Sequence, residues 1–361
     1  MRIGRLWLTD FRSYTDVDLT LGDGLTAICG PNGHGKTNIL EAVGFLATLD
    51  SFRGAPTEAL VRSGADRAVI RAEGEREGRE LLLEAELVPG GRTRAQVNRQ
   101  RLARSRDLLG AIRISVFAPD DLTMVKGGPG ERRRYLDDLL VAEHPVRDPL
   151  RGDLERILRQ RNSLLRQSGG RMTPDIELTL DVWDTKLTEV GERLAAARAD
   201  LLGRLEPLLS AAYDEVAERP SAVHARYDAP WRDAGLAATL AATRTDDLRR
   251  GVTTVGPHRD DVVLTIGGLP SRTHASQGEQ RSLALALRLA GHRLVAAATG
   301  TPPVLLLDDV FSELDPERSD ALLRSLPAGQ TLLTTAGPLP PRAAPDQILR
   351  VHESVVTTGR T

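Results

Sequence analysis

Gly30-Pro31-Asn32-Gly33-His34-Gly35-Lys36-Thr37 combines three glycines that free the backbone, a lysine that supplies a cation and a threonine that supplies a hydroxyl. The apolar stretch Leu25 to Cys29 precedes it, and Asn38, Ile39, Leu40, Ala42, Val43, Phe45 and Leu46 follow at helical spacing. Strand, glycine loop and helix in that order read as a triphosphate-binding P-loop. Backbone N–H groups and the positive end of the helix face the phosphates, Lys36 reaches the outer ones, and Thr37 is set to ligate magnesium. ATP and Mg2+ are the expected ligands, held by Gly30 to Asn38.

Val304 to Leu307 is wholly apolar and ends in Asp308 and Asp309. A buried strand ending in paired carboxylates is the arrangement by which P-loop ATPases place one acid on the magnesium and the next beside the attacking water. Asp308 is the expected metal ligand, and Asp309 and Lys36 are the expected catalytic residues. Either aspartate alone would read as a strand terminus or a helix cap.

Ser276-Gln277-Gly278-Glu279-Gln280 opens another helix, carrying Leu283, Leu285, Ala286, Leu287 and Leu289. Serine and glycine at a helix start form an anion site, yet Ser276 with Glu279 three residues on is equally a capping box. Context favours the first: the string stands 28 residues before the strand ending in Asp308, and Ser312-Glu313-Leu314-Asp315 follows soon after. In ATPases with this order, one subunit's signature covers ATP held by the P-loop of another. Ser276, Gly278 and Gln280 are accordingly expected at the nucleotide. Arg12 could approach it from the first hairpin; the plain alternative is a solvated surface arginine.

Three short strands lead into the P-loop, marked by Ile3, Leu6, Leu8 and Phe11, then Val17, Leu19 and Leu21, then Leu25 to Cys29. Residues 66 to 117 read as further strands, with turns at Glu75 to Gly78 and Pro89-Gly90-Gly91. From about Glu131 the pattern changes to long helices, with Leu154, Ile157, Leu158, Arg161, Leu164 and Leu165 on one face before Gly169-Gly170. A second helix places Leu180, Trp183, Leu187, Val190, Leu194, Ala197 and Leu201 along a coiled-coil seam. Strand patterns return at Val262 to Ile266 and Val304 to Leu307. The expected fold is an α/β P-loop ABC-type ATPase head with a β-rich N-terminal part and an inserted α-helical arm, a short antiparallel coiled coil. Residues 1–130 and 251–361 would form the head and 131–250 the arm, the alternative being an amphipathic helix pair folded onto the head.

The chain has 361 residues, 40% hydrophobic and 27% charged, the composition of a globular protein. Its single cysteine, Cys29, excludes an internal disulfide and suits a reducing compartment. With no signal-peptide pattern and no long apolar run, a soluble cytoplasmic location without membrane partners is expected. A net charge of −2 gives no global attraction to polyanions, and 3% aromatic residues disfavour base stacking. Any DNA contact must be local. Arg92, Arg94, Arg99, Arg101, Arg104 and Arg106 lie within fifteen residues, and Arg132, Arg133 and Arg134 form a second run. Both could neutralise phosphates, with structure rather than sequence specificity; the plain alternative is a solvated face paired to nearby acids.

Further strings narrow the class. They are Asp10-Phe11-Arg12-Ser13-Tyr14, Gly30 to Asn38 with Glu41, Phe117 to Leu122, Arg133-Arg134-Tyr135-Leu136-Asp137 and Arg161-Asn162-Ser163-Leu164-Leu165. Gly256-Pro257-His258-Arg259-Asp260-Asp261, Ala275 to Arg281 and Leu305 to Asp315 complete them in order along nearly the full length. On these strings the chain resembles the RecF recombination-mediator family, whose heads are similar to those of SMC and Rad50 proteins. The resemblance implies a head-to-tail, ATP-dependent homodimer, slow hydrolysis, and binding to duplex DNA or single-strand/double-strand junctions. It also implies partnership with RecR and RecO in loading RecA at gaps. The 240 positions between Lys36 and Ser276 exceed those of a transporter's ATPase subunit, and the helical insertion is far too short for an SMC-like or Rad50-like bridging arm. Asp309 is one methylene shorter than the usual glutamate, no switch histidine ends Thr331 to Thr335, and no metal-linked glutamine precedes Ala118. The sequence assigns no role to His258.

Overall fold

The computed structural model describes residues 1–217, 219–312 and 314–359. Glu313 of the Ser312 to Asp315 string lies outside the described residues.

Strands β1 (Arg2–Phe11) and β2 (Tyr14–Thr20) form a hairpin, and β3 (Leu25–Cys29) leads through the glycine loop into α1 (Lys36–Thr48). After the single turn α2 (Thr57–Leu60) come β4 (Ala68–Arg76), β5 (Arg79–Leu87), β6 (Arg94–Val97), β7 (Gln100–Arg101) and β8 (Ile114–Phe117). Helices α3 (Thr123–Lys126), α4 (Pro129–Glu143), α5 (Asp148–Gln167) and α6 (Pro174–Val216) follow. Next are β9 (Val223–Asp228), α7 (Leu236–Arg250), β10 (Asp261–Ile266), β11 (Leu269–Pro270), α8 (Ser271–His274) and α9 (Gln277–Thr299). The chain ends through β12 (Val304–Asp308), α10 (Pro316–Ser325), β13 (Thr331–Thr335), β14 (Gln347–His352) and β15 (Val355–Gly359).

Two compact units result. The first comprises Met1–Asp121, Ala211–Pro220 and Arg281–Thr361, the second Leu122–Ser210 and Ser221–Gln280. The expected boundaries at 130/131 and 250/251 differ from this division. The main shift concerns β10: it pairs antiparallel with β9 from Ile266↔Val223 to Asp261↔Asp228 and belongs to the second unit, not to the head.

The first unit holds two six-stranded sheets. One is antiparallel, in the order β2-β1-β4-β5-β6-β7; the other runs β15-β14-β3-β13-β12-β8 and is parallel except for β15. Every residue of β12 and β13 is buried, which is why these strands read as continuous rather than alternating patterns. Leu6, Leu8 and Phe11 of β1 share one core with Ile28, Leu40, Phe45, Leu306 and Leu332. Gln330 ties the segments by main-chain bonds: its Oε1 accepts from the Ile3 N–H (2.7 Å) and its amide donates to the Ile3 and Gly22 carbonyls.

His292 of α9 is buried with Nδ1 3.1 Å from Ser115 Oγ on β8, and burial lowers its pKa from 6.5 to about 4. Burial lowers His258 in the second unit likewise, to about 4. Between pH 6.5 and about 4 the unfolded chain therefore binds more protons than the folded one, and stability falls as pH falls, by about 1.4 kcal/mol per pH unit per histidine. Urea unfolding measured from about pH 7.5 down to 5 is expected to show this slope, shallower by about one proton in His292→Leu. Equal slopes in the two proteins would contradict it.

In the second unit, α5 and α6 run antiparallel, with Arg161 facing Asp184 and Leu165 and Leu180 in one cluster. Leu248 of α7 completes that cluster, so the hairpin folds onto a third helix here. Leu180, Leu187, Leu194 and Leu201 of the expected seam are buried, while Trp183, Val190 and Ala197 are half-buried. Among the described residues, no helix is long and apolar enough to cross a membrane.

Candidate nucleotide site

The P-loop hangs between β3 and α1, with β3 paired to β13 on one side and β14 on the other. Gly30 is required by close approach: a Cβ there would lie 2.1 Å from the Val351 carbonyl of β14. Gly35, at φ 104°, caps α1 in the left-handed region, and a Cβ would press on Ser13 Oγ and Tyr14 OH at 3.0 Å. Lys36 is buried and curls back over the loop, donating from Nζ to the Pro31 carbonyl (2.8 Å). Burial pushes its ammonium down, opposed by the carboxylates of Asp309 and Asp308.

Thr37 Oγ1 donates to Asp308 Oδ1 at 2.7 Å, joining the first turn of α1 to the end of β12. Thr334 of β13 donates to the same oxygen at 2.8 Å and accepts from the Asp309 N–H at 2.9 Å. Burial raises the Asp308 carboxyl, and the Thr37 and Thr334 hydroxyls draw it back down. Asp309 sits at φ 48°, a left-handed conformation that aspartate tolerates better than most residues. Its carbonyl accepts from both the Ser312 N–H and the Ser312 hydroxyl. A carboxylate and a hydroxyl converging beside a lysine are hard oxygen donors of the kind magnesium prefers, so Thr37 and Asp308 fit the ion expected with ATP. Sequence reasoning missed Thr334, and also Arg53, whose positive charge lies close enough to draw the Asp308 carboxyl down.

Arg12 is not a solvated surface arginine. Its Nε and one terminal nitrogen hold both Glu41 carboxylate oxygens at 2.7 Å, and its other nitrogen donates to the Ala59 carbonyl. Glu41 is fully buried in α1 and also accepts from Ser51 Oγ. Three of Arg12's five N–H groups are thus committed to the scaffold beside the P-loop helix. Asn38 donates to Ser13 Oγ, and His34 Nδ1 accepts from the Glu353 N–H at the tip of the β14–β15 hairpin. The loop residues and the hairpin form one fitted surface around Gly30 to Lys36.

The second unit carries Ser276 to Gln280. The capping box is present: the Ser276 N–H donates to Glu279 Oε2 (2.7 Å) and the Glu279 N–H to Ser276 Oγ (3.2 Å). Accepting that bond occupies a lone pair and leaves the hydroxyl hydrogen to donate, so cap and anion site are compatible. Gln280 turns inward; it is buried and its amide donates to the Ser271 and Arg272 carbonyls of α8. Gly278 lies half-buried in the first turn of α9.

A family model described as "RecF/RecN/SMC N terminal domain" matches residues 2–334. The DNA replication and repair protein RecF of Streptomyces avermitilis is 47% identical over 351 residues, covering 93% of each chain. The chain belongs to the RecF family. The RecF of Kineococcus radiotolerans is 44% identical, covering 99% of this chain and 98% of its own. Among solved structures, the recombination mediator protein RecF with ATP, of the RecFOR pathway, superimposes with a TM-score of 0.91 at 28% identity, covering 99% and 97%. An SMC head bound to the C-winged helix domain of ScpA has a TM-score of 0.60 at 18% identity, a likeness of fold alone.

Three of the RecF-family strings, Arg133 to Asp137, Arg161 to Leu165 and Gly256 to Asp261, lie in the second unit. Fully buried Arg161 donates to Asp184 (2.6 Å), Asp247 (2.7 Å) and Thr253 (2.9 Å), while Asn162 Oδ1 accepts from the Thr253 N–H and hydroxyl. His258 Nε2 and Arg259 both bond the Thr253 carbonyl, giving His258 a role in fixing this loop. Asp260 accepts from Tyr227 OH and Trp231 Nε1, and Arg198 donates to Asp137 and the Pro257 carbonyl. Arg132 forks onto Asp261 and Arg133 donates to the Asp260 carbonyl, so most of the 132–134 run is scaffold. The other arginine group differs. Arg94 pairs with Glu86 and Arg104 with Asp107, but Arg92, Arg94, Arg99, Arg101, Arg104 and Arg106 are all exposed on or beside the β6–β7 end of the antiparallel sheet.

Proposed function

We propose that this RecF-family chain is an ATP-switched DNA-binding protein of recombinational gap repair. ATP and Mg2+ occupy Gly30 to Asn38 with Thr37 and Asp308 on the metal, and Asp309 orients the attacking water. Two copies close head to tail, each Ser276 and Gly278 facing the ATP held by the other copy, so that nucleotide supplies interface contacts and hydrolysis removes them. The exposed arginines from Arg92 to Arg106 contact the backbone of duplex or junction DNA. RecR and RecO are the expected partners in loading RecA, and the cytoplasm the expected compartment. The observation that carries this reading is the 2.7 Å bond joining Thr37 to Asp308, which brings the P-loop and the acidic strand end to one point.

Light scattering without nucleotide, with ADP, and with ATP and magnesium tests it. ATP alone is expected to double the mass of the wild type. Ser276→Arg is expected to stay monomeric while binding ATP as tightly as the wild type, because the substitution fills the site facing the partner's phosphates. A mass unchanged by ATP in the wild type would leave Ser276 a helix cap and refute the dimer switch.

A further inference from the structure

We propose that Thr334 is the positioning residue of the paired aspartates, an inference that rests on the ATP reading and adds the group that aligns its acidic strand end. Thr334 is fully buried on β13, the parallel neighbour of β12, in register with Asp308. Its single hydroxyl performs two tasks. It donates to Asp308 Oδ1 at 2.8 Å and accepts from the Asp309 N–H at 2.9 Å. Among the described residues the hydrogen bonds to the Asp308 carboxylate come from Thr37 and Thr334, and both end on Oδ1, which fixes that oxygen and with it the plane of the group. The second bond holds the Asp309 backbone where the chain turns into the left-handed region at φ 48°, and hence sets the direction from which its carboxylate leaves β12.

No other described side chain bonds both aspartates. Thr334 touches neither phosphate nor water in this reading; it acts through Asp308 and Asp309. Losing the hydroxyl should therefore impair magnesium-assisted binding and hydrolysis but not magnesium-free contact between ATP and the glycine loop.

The test compares Thr334→Val, which keeps the shape, with Thr334→Ser, which keeps the hydroxyl. ATP affinity is measured by calorimetry with and without magnesium, alongside hydrolysis and thermal unfolding. In the valine variant the gain in ATP affinity on adding magnesium, and the turnover at saturating ATP, are expected to fall about 10- to 100-fold, with magnesium-free affinity within about threefold of wild type. Serine is expected to restore both. The inference is overturned if valine matches wild type, or if magnesium-free binding falls in parallel with hydrolysis, which would make Thr334 a packing residue only. A wild type that binds no ATP would sink the ATP reading itself, and Thr334's role with it.

Discussion

Lys36→Met is expected to abolish magnesium-ATP binding and, with it, every ATP-dependent change of mass. Lys36 is the buried cation of the glycine loop, and its Nζ already rests on the Pro31 carbonyl, within the arc that the phosphates would occupy. Methionine keeps much of the length and apolar stem but removes the charge and its three donors. Loss of one partner from a buried charge contact costs about 2–5 kcal/mol, so the dissociation constant should rise by well over tenfold. The fold should survive, because among the described residues the lost ammonium hydrogen-bonds a loop carbonyl alone, while the surrounding core is built from apolar side chains of β1, α1, β12 and β13. Calorimetric titration with ATP and magnesium, beside circular dichroism, reads both halves of this expectation. Wild-type affinity in the variant would show that the loop does not hold triphosphate through Lys36.

Arg161→Met carries the second large effect, on stability instead of binding. Arg161 has no solvent exposure and neutralises two carboxylates, Asp184 and Asp247, while bonding Thr253. Methionine would fill the space but leave fully buried Asp247 without its cation, and Asp184 with Arg244 alone. Breaking a buried pair from one side costs about 3–5 kcal/mol, a large part of the total stability of about 5–15 kcal/mol of an ordinary domain. Arg161→Lys is expected to recover little, since a point charge cannot replace a fork that reaches three acceptors. Urea unfolding followed by circular dichroism measures the loss, and a change below about 1 kcal/mol would refute the assignment of Arg161 as the electrostatic hub of this unit.

The nucleotide site was legible because its chemistry is written in local strings. A β-strand, three glycines and a lysine fix a phosphate cradle whatever surrounds them, and the wholly apolar β12 announces a buried strand ending at Asp308. Thr334 left no such mark: within Thr331 to Thr335 a threonine is an ordinary β-branched filler, and only the register between β12 and β13 brings it to Asp308. Arg12 shows the same limit, since its partner Glu41 lies 29 residues away and reads as an interior helix acid. The buried hub did leave a trace, for Arg161 is the one charged side chain on an otherwise apolar helical face. Strand β10 is legible as a strand, but its pairing with β9 in the second unit is not. Its alternating pattern states that one face is buried and says nothing of which sheet it joins, and its neighbour β9 is a short strand lying within a section whose dominant pattern is helical.

The position of β3 has a consequence for how the chain comes off the ribosome. This strand, which delivers the P-loop, emerges early, yet both of its sheet neighbours, β13 and β14, are made only from Thr331 onward. The carbonyl of Val351 that closes on Gly30 arrives later still. Through most of translation the nascent glycine loop therefore has no sheet to hold it, and at about 5–20 residues per second it waits many seconds for one. Nascent chains arrested before β13 should not bind ATP, so nucleotide can engage only a polypeptide whose C-terminal strands have already been synthesised and packed.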